Sequence, residues 1–454
     1  MTYQAVNPAT GKLVERYPTA DARQVQEAVA RSAEAFVSWR TTPLAQRTDL
    51  LLRVATALES QAGDLGRLMA LEMGKPLAEG IAEAKKCALA CRWYAEQAAS
   101  ILAPSQRESD GSRAYVRHDP LGPILAIMPW NFPFWQFYRF AAPSLAAGNT
   151  ILLKHAPNTP GCALRMVALL EDAGLPAGVV QNLFLTNEQA AQVVSDKQVR
   201  GVTLTGSTRA GKQVAAIAGS HLKTMVMELG GSDAFTVFAD ADVDEAVRSG
   251  VAARMLNNGQ SCIAAKRFLV EDGIFDRFRD AFVDLMGERV MGDPLEGSTR
   301  LGPLARQDLR DDLAGQVTQS LQAGARALCG GEAVQRPGWF YPATVLVDAP
   351  ADSPAACQEM FGPVASLFRF KTEDEALDLI NGTDYGLGSS LWTSDMDRVE
   401  RFVPAIDTGA VFINGMVKSD PRLPFGGVKE SGFGRELGRE GMLEFVNLKT
   451  VWVG

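Results

Sequence analysis

Between residues 124 and 229 the chain alternates short, almost wholly apolar runs with amphipathic stretches, and no other feature restricts its fold so narrowly. The apolar runs are "ILAIMPW" (124–130), "TILLK" (150–154), "GVVQNLF" (178–184), "VRGVTLTG" (199–206) and "KTMVMEL" (223–229). Helix-patterned segments such as "CALRMVALLEDAG" and "TRAGKQVAAIAGS" stand between them. A strand apolar on both faces must be covered on both, and strands separated by helices run parallel. The pattern therefore predicts a parallel sheet between two layers of helix. In such sheets ligands sit beyond the carboxyl ends of the strands, at "MPWN", "LLK" and "LTGS" here. A second series, "DAFTVF", "KRFLVED", "VASLFRF" and "GAVFING", predicts another α/β domain beginning near residue 230, at "LGGSD". Ahead of both series the sequence reads as helical to about residue 100. Its first helix follows Pro18, with Thr19 as the expected cap and Val25, Val29, Ala33 and Phe36 on one face.

Several classes of function are excluded by composition. A formal charge of −8 and a pI near 5.2 offer no basic face to nucleic acid. Four prolines, at 123, 129, 133 and 143, interrupt the most apolar stretch (121–147), which also holds Asn131, Gln136 and Arg139, so a membrane-spanning helix is not expected. The first twenty residues lack the basic-then-apolar order of a signal peptide. Six cysteines over 454 residues make neither a disulfide framework nor a zinc-ribbon spacing, and three histidines offer little to a metal. Reduced thiols, a cytoplasmic location and no metal are the expectation.

Three short motifs carry chemistry. In "NNGQSCIAAK" (257–266) Cys262 follows turn-forming residues and not an apolar pattern, so it reads as either a packing thiol or a reachable nucleophile. "GSTRAGKQ" (206–213) follows a strand and opens a helix, offering free N–H groups to a phosphate. Gln213 stands where a phosphate loop needs Ser or Thr, which argues against an NTPase. Glu228 in "MELGGSD" is either a surface charge or a general base, and Asn131 in "PWNFPF" either a turn tie or an oxyanion donor.

Taken together, these motifs resemble the aldehyde dehydrogenase superfamily from "NPATGK" near residue 7 to "VNLKTVWVG" at the end. The matching elements are "PWNFP" (129–133), "LLK" (152–154), "TGS" (205–207), "ELGG" (228–231), "GQSC" (259–262), "EMFGPV" (359–364) and "PFGGVKESGFGRE" (424–436). The resemblance implies that Cys262 adds to an aldehyde to give a thiohemiacetal. The Asn131 amide and the Cys262 N–H would hold the oxyanion, an interaction worth roughly 3 kcal/mol. Loss of hydride to a nicotinamide would give a thioester, and Glu228 would activate the water that hydrolyses it. For NAD or NADP the resemblance implies Trp130 and Asn131 at the nicotinamide end and Lys154 at the adenosine ribose. Gly206 and Ser207 would meet the pyrophosphate, Leu229 the carboxamide, Glu359 the nicotinamide ribose, and Phe361 the ring. Pro157 stands where many NAD-preferring members carry Glu, so both cofactors are expected to bind.

The same resemblance implies a fold of a Rossmann-like dinucleotide-binding domain (1–100 and 119–229), a catalytic α/β domain (230–438) and β segments for oligomerisation (101–118 and 439–454). A homodimer or homotetramer is expected through those segments. Arg139, eight positions after Asn131, and Ser419 match the ligands for the distal carboxylate in succinate-semialdehyde dehydrogenases. A further Arg of those enzymes is Leu256 here, with Arg254 two positions earlier. Succinic semialdehyde is the expected small-molecule substrate. A different small aliphatic aldehyde, a thiol hydrolase using a histidine base, and a non-catalytic binding protein on the same fold are the alternatives.

Overall fold

A computed structural model describes residues 2–454 and divides the two alternating series between two sheets. The first sheet has six strands in the order Gly432–Phe433, Thr224–Glu228, Gly201–Thr205, Pro123–Met128, Thr150–His155 and Val180–Asn182. All are parallel except the edge strand Gly432–Phe433, which pairs antiparallel with Thr224–Glu228. Every residue of Thr150–His155 and Gly201–Thr205 is buried, the consequence of helices on both faces. Alternate side chains go to opposite layers. Leu125, Leu152, Val202 and Met227 pack with the helices Ala22–Trp39 and Thr208–Ser220. Ile124, Ala126, Ile151, Leu153 and Val226 face Leu44–Ser60, Leu77–Ile101 and Trp135–Ala147.

The second sheet has seven strands, in the order Arg326–Cys329, Thr344–Val347, Val364–Phe370, Arg267–Glu271, Ala234–Val237, Gly388–Trp392 and Ala410–Ile413. Only Arg326–Cys329 runs antiparallel. Strands Ser105–Arg107, Arg113–Pro120 and Val446–Val453 form a third, antiparallel sheet.

Two expectations change in detail, at the first helix cap and at the C-terminal boundary. The first helix is capped by Asp21 and not Thr19, because Asp21 and Gln24 exchange hydrogen bonds of 2.8 Å with each other's backbone N–H groups. The apolar stretch 121–147 is a buried strand followed by a wholly buried helix, Trp135–Ala147. Among the described residues no helix is long and apolar enough to cross a membrane. The return to the first sheet comes at Gly432, ahead of the expected limit at 438, and Phe445 stacks edge-on against Phe140 at 5.4 Å. Residues 439–445 thus pack with the first domain, and the third sheet takes only Val446–Val453 from the C-terminus. A two-residue strand has too little pattern for sequence to reveal it.

Candidate active site

Cys262 sits where the two domains meet, at the end of a loop with unusual backbone geometry. Asn257, Asn258 and Gly259 all adopt positive φ, at 58°, 58° and 75°. Asn and Gly tolerate this left-handed region better than other residues. Gly259 is further required because a Cβ there would lie 2.3 Å from the Gly362 carbonyl oxygen. The loop is held by its own side chains. Asn257 Nδ2 donates to the Asn131 and Gln260 carbonyls at 2.7 and 3.0 Å. Asn258 Oδ1 accepts from Gly302 N, and Gln260 Oε1 from Ala305 N. Buried Lys266 donates to the carbonyls of Ser261 and Cys262 at 2.9 and 2.7 Å. The run "NNGQS" thus builds a rigid turn that presents the sulfur.

Cys262 lines two cavities. One, of about 250 Å³, is walled by Pro129, Trp130, Asn131, Gly206, Leu229 and Glu359, with Ser207 and Phe361 also on its surface. Trp130 and Phe361 stand edge-to-face at 5.8 Å. Glu359 accepts from Gly231 N at 2.9 Å and lies 3.6 Å from Lys266. Asn131 Nδ2 spends one N–H on the Gln260 carbonyl at 3.1 Å, leaving its second for the cavity. The helix Thr208–Ser220 opens beside this cavity, with Ser207 as its cap. Gly211 lets that helix press against the strand, since a Cβ there would lie 2.4 Å from Leu229. The N–H groups of Thr208 and Arg209 have no partner among the described residues, the usual setting for a phosphate. An aromatic pair, a helix end with free N–H groups and a half-buried carboxylate suit a nicotinamide dinucleotide. Lys154, near the carboxyl end of the strand Thr150–His155, and Pro157, just past it, lie outside this lining. Lys154 is buried without a hydrogen-bond partner, and burial pushes its ammonium down to about 8. The Pro157 carbonyl anchors the N-terminal strand by accepting from Gln4 N at 3.0 Å. Lys212 of the glycine loop turns to Glu430 at 2.7 Å, away from any phosphate role.

The second cavity, of about 160 Å³, is lined by Lys86, Trp135, Arg139, Leu256 and Ser419, besides Cys262. The Arg139 guanidinium, which the resemblance gives as a ligand for a substrate carboxylate, lines this cavity but is largely engaged by the protein itself. Its Nε meets Glu436, and its Nη2 donates to Thr205 Oγ1 at 3.1 Å and lies 3.9 Å from Glu228. The cause is desolvation: two buried carboxylates need a cation, and Arg139 is the one between them. Glu228 itself lies behind the cavity walls, with neither carboxylate oxygen hydrogen-bonded among the described residues. Burial pushes its carboxyl well above the usual range; Arg139 opposes the shift and Glu436 adds to it. Arg254 serves the loop, donating to the Ala265 and Gly259 carbonyls, while Leu256 faces the cavity. None of His118, His155 and His221 lines either cavity, so a Cys–His hydrolase has no base here.

The aldehyde dehydrogenase family model matches residues 1–451. The chain belongs to the aldehyde dehydrogenase family. For an aldehyde dehydrogenase its relatives are near. A probable succinate-semialdehyde dehydrogenase [NADP(+)] of Synechocystis is 47% identical, with 100% of both chains covered. Succinate-semialdehyde dehydrogenase [NADP(+)] 1 of Mycobacterium tuberculosis is 48% identical, again over 100% of both. The crystal structure of succinic semialdehyde dehydrogenase from Streptococcus pyogenes, in complex with NADP+ as the cofactor, superposes with a TM-score of 0.97. It is 36% identical, with 99% of each chain covered.

In the resting aldehyde dehydrogenase the Cys262 thiol is pushed up to about 12. Burial is the main cause, opposed by Arg139 and Lys266 and reinforced by Glu359 and Glu228. Iodoacetamide labelling of Cys262, followed by peptide mass spectrometry without cofactor, should therefore accelerate about tenfold per pH unit from 7 to 10. A plateau by pH 9 would show a thiolate already formed.

Sequence reasoning missed Lys86, Lys266 and Glu436. Lys86 had one faint signal: Glu79, Ala82, Glu83 and Lys86 recur at helical spacing, and all four line the second cavity.

Proposed function

We propose that this aldehyde dehydrogenase oxidises succinic semialdehyde to succinate, with NADP favoured and NAD accepted. The observation that carries the reading is Cys262 at the junction of two cavities, one suited to a dinucleotide and one with a cationic, hydroxyl-bearing end. The Synechocystis and Mycobacterium tuberculosis relatives, both succinate-semialdehyde dehydrogenases [NADP(+)] by name, support it. In this reading the Cys262 thiol gives up its proton to solvent and its Sγ bonds to the aldehyde carbon, while the carbonyl π pair moves to the oxygen, whose charge is held by the free Asn131 N–H and the Cys262 N–H. A nicotinamide held in the larger cavity would supply the hydride acceptor. Trp130, Leu229 and Phe361 would hold the ring, Glu359 its ribose, Gly206 and Ser207 the pyrophosphate. Lys154 would pair with the 2′-phosphate of NADP, which Pro157 leaves unopposed. Glu228, unpinned by hydrogen bonds, would turn to the water that cleaves the thioester. Ser419 would donate to the substrate's distal carboxylate. The expected location is the cytoplasm. The expected assembly is a homodimer or homotetramer through the strand Val446–Val453, which has one unpaired edge and exposes Leu448 and Trp452.

The test is cofactor reduction by the purified protein with succinic semialdehyde and butyraldehyde, under NADP and under NAD. The acid aldehyde should win in kcat/KM by about tenfold or more, the size of one charge-assisted contact. NADP should exceed NAD. Equal efficiencies on the two aldehydes would remove the substrate assignment and leave the family's chemistry intact.

A further inference from the structure

With Arg139 committed to Glu436 and Glu228, one cation at the second cavity is left unmatched. Lys86, from the middle of the helix Leu77–Ile101, lays its ammonium 4.1 Å from the centre of the Trp135 ring. Its Nζ donates to Ser419 Oγ at 2.7 Å, and no carboxylate among the described residues forms an ion pair with it. The other charges of the lining are answered. Glu83 pairs with Lys75 and accepts from Phe134 N and Trp135 N; Glu79 accepts from Asn257 N at 2.7 Å. Ser419 Oγ also accepts from Trp135 Nε1 at 3.1 Å. With both lone pairs of that oxygen occupied, its single O–H has to donate elsewhere, and a carboxylate in the cavity is its natural acceptor.

We propose that Lys86 is the specificity-determining cation for the substrate's distal carboxylate, acting with the Ser419 hydroxyl, and that Arg139 is a positioning residue for Glu228. The proposal rests on the acid-aldehyde reading above and names the residue responsible for it. A half-buried ammonium without a counter-ion is costly, and a bound carboxylate relieves that cost. The charged groups acting on Lys86 are Arg139, which opposes its charge, and Cys87, Glu83 and Asp420, which favour it; with burial the largest cause, the ammonium falls to about 8. The sign follows. Lys86 is charged below that pH, so preference for the acid aldehyde should fade as pH rises from 7 to 9.5.

The deciding experiment measures kcat/KM with NADP for succinic semialdehyde and butyraldehyde, in wild type, Lys86→Met and Lys86→Arg. Lys86→Met should cut the selectivity ratio ten- to a hundred-fold, mainly through the KM for succinic semialdehyde, as loss of a charge-assisted contact requires. Lys86→Arg should restore part of it. Butyraldehyde turnover reports that each variant is folded. A Lys86→Met enzyme with wild-type selectivity, an equal loss on both aldehydes, or a wild-type ratio flat across that pH range overturns the proposal. A wild-type enzyme without preference fails the acid-aldehyde reading itself, a result distinct from failure of Lys86.

Discussion

Cys262→Ala is expected to lower kcat/KM for every aldehyde by on the order of 10⁴-fold or more, the cost of deleting a covalent nucleophile. The sulfur is the one nucleophilic side chain shared by both cavities, and no histidine lines either to support a substitute. The loop that carries it should survive. Its hydrogen bonds come from Asn257, Asn258, Gln260 and Lys266, none of which involves the thiol. Half-buried Cys262 also contributes little packing, so the melting temperature should move by only a few degrees. Steady-state cofactor reduction and a thermal melt check the two halves together. Residual turnover within a hundred-fold of wild type would mean that another group attacks the aldehyde.

Glu228→Gln should slow steady-state turnover by about 10²–10⁴-fold, the usual range for a lost general base, while sparing the first turnover. Rapid mixing should then show a burst of one reduced cofactor per active site, and mass spectrometry an acyl adduct on the Cys262 peptide. The pH sign is fixed by the burial of Glu228. Its carboxyl is held above the usual range, so in the resting protein it carries a proton until pH rises through that shifted value. Wild-type kcat should accordingly rise with pH, and the Gln variant should lose that dependence. Folding should survive, because the amide keeps the shape and Arg139 retains Glu436. Equal slowing of the first and later turnovers would place Glu228 before the thioester, as a base for the thiol.

Much of the fold was legible because apolar runs between amphipathic segments have few ways to hide both faces. Strands 123–128, 150–155, 180–182, 201–205 and 224–228 all became neighbours in one sheet. The site was legible through its backbone demands: Asn257, Asn258 and Gly259 mark a left-handed turn. Charge partners were not legible. Arg139 reads identically whether it awaits a carboxylate in the substrate or, as here, Glu436 from the far end of the chain. Lys86 reads as an ordinary solvated helix charge until Trp135 and Ser419 cover it.

Local pattern thus determined two sheets, the nucleophile's loop and the family's motifs, because apolar periodicity and turn geometry act over a few residues. Tertiary structure alone decided which cation is spent and which is free. Pairing between buried charges depends on distance and desolvation, and residues 83, 86, 139, 228, 419 and 436 are close only after the chain has folded.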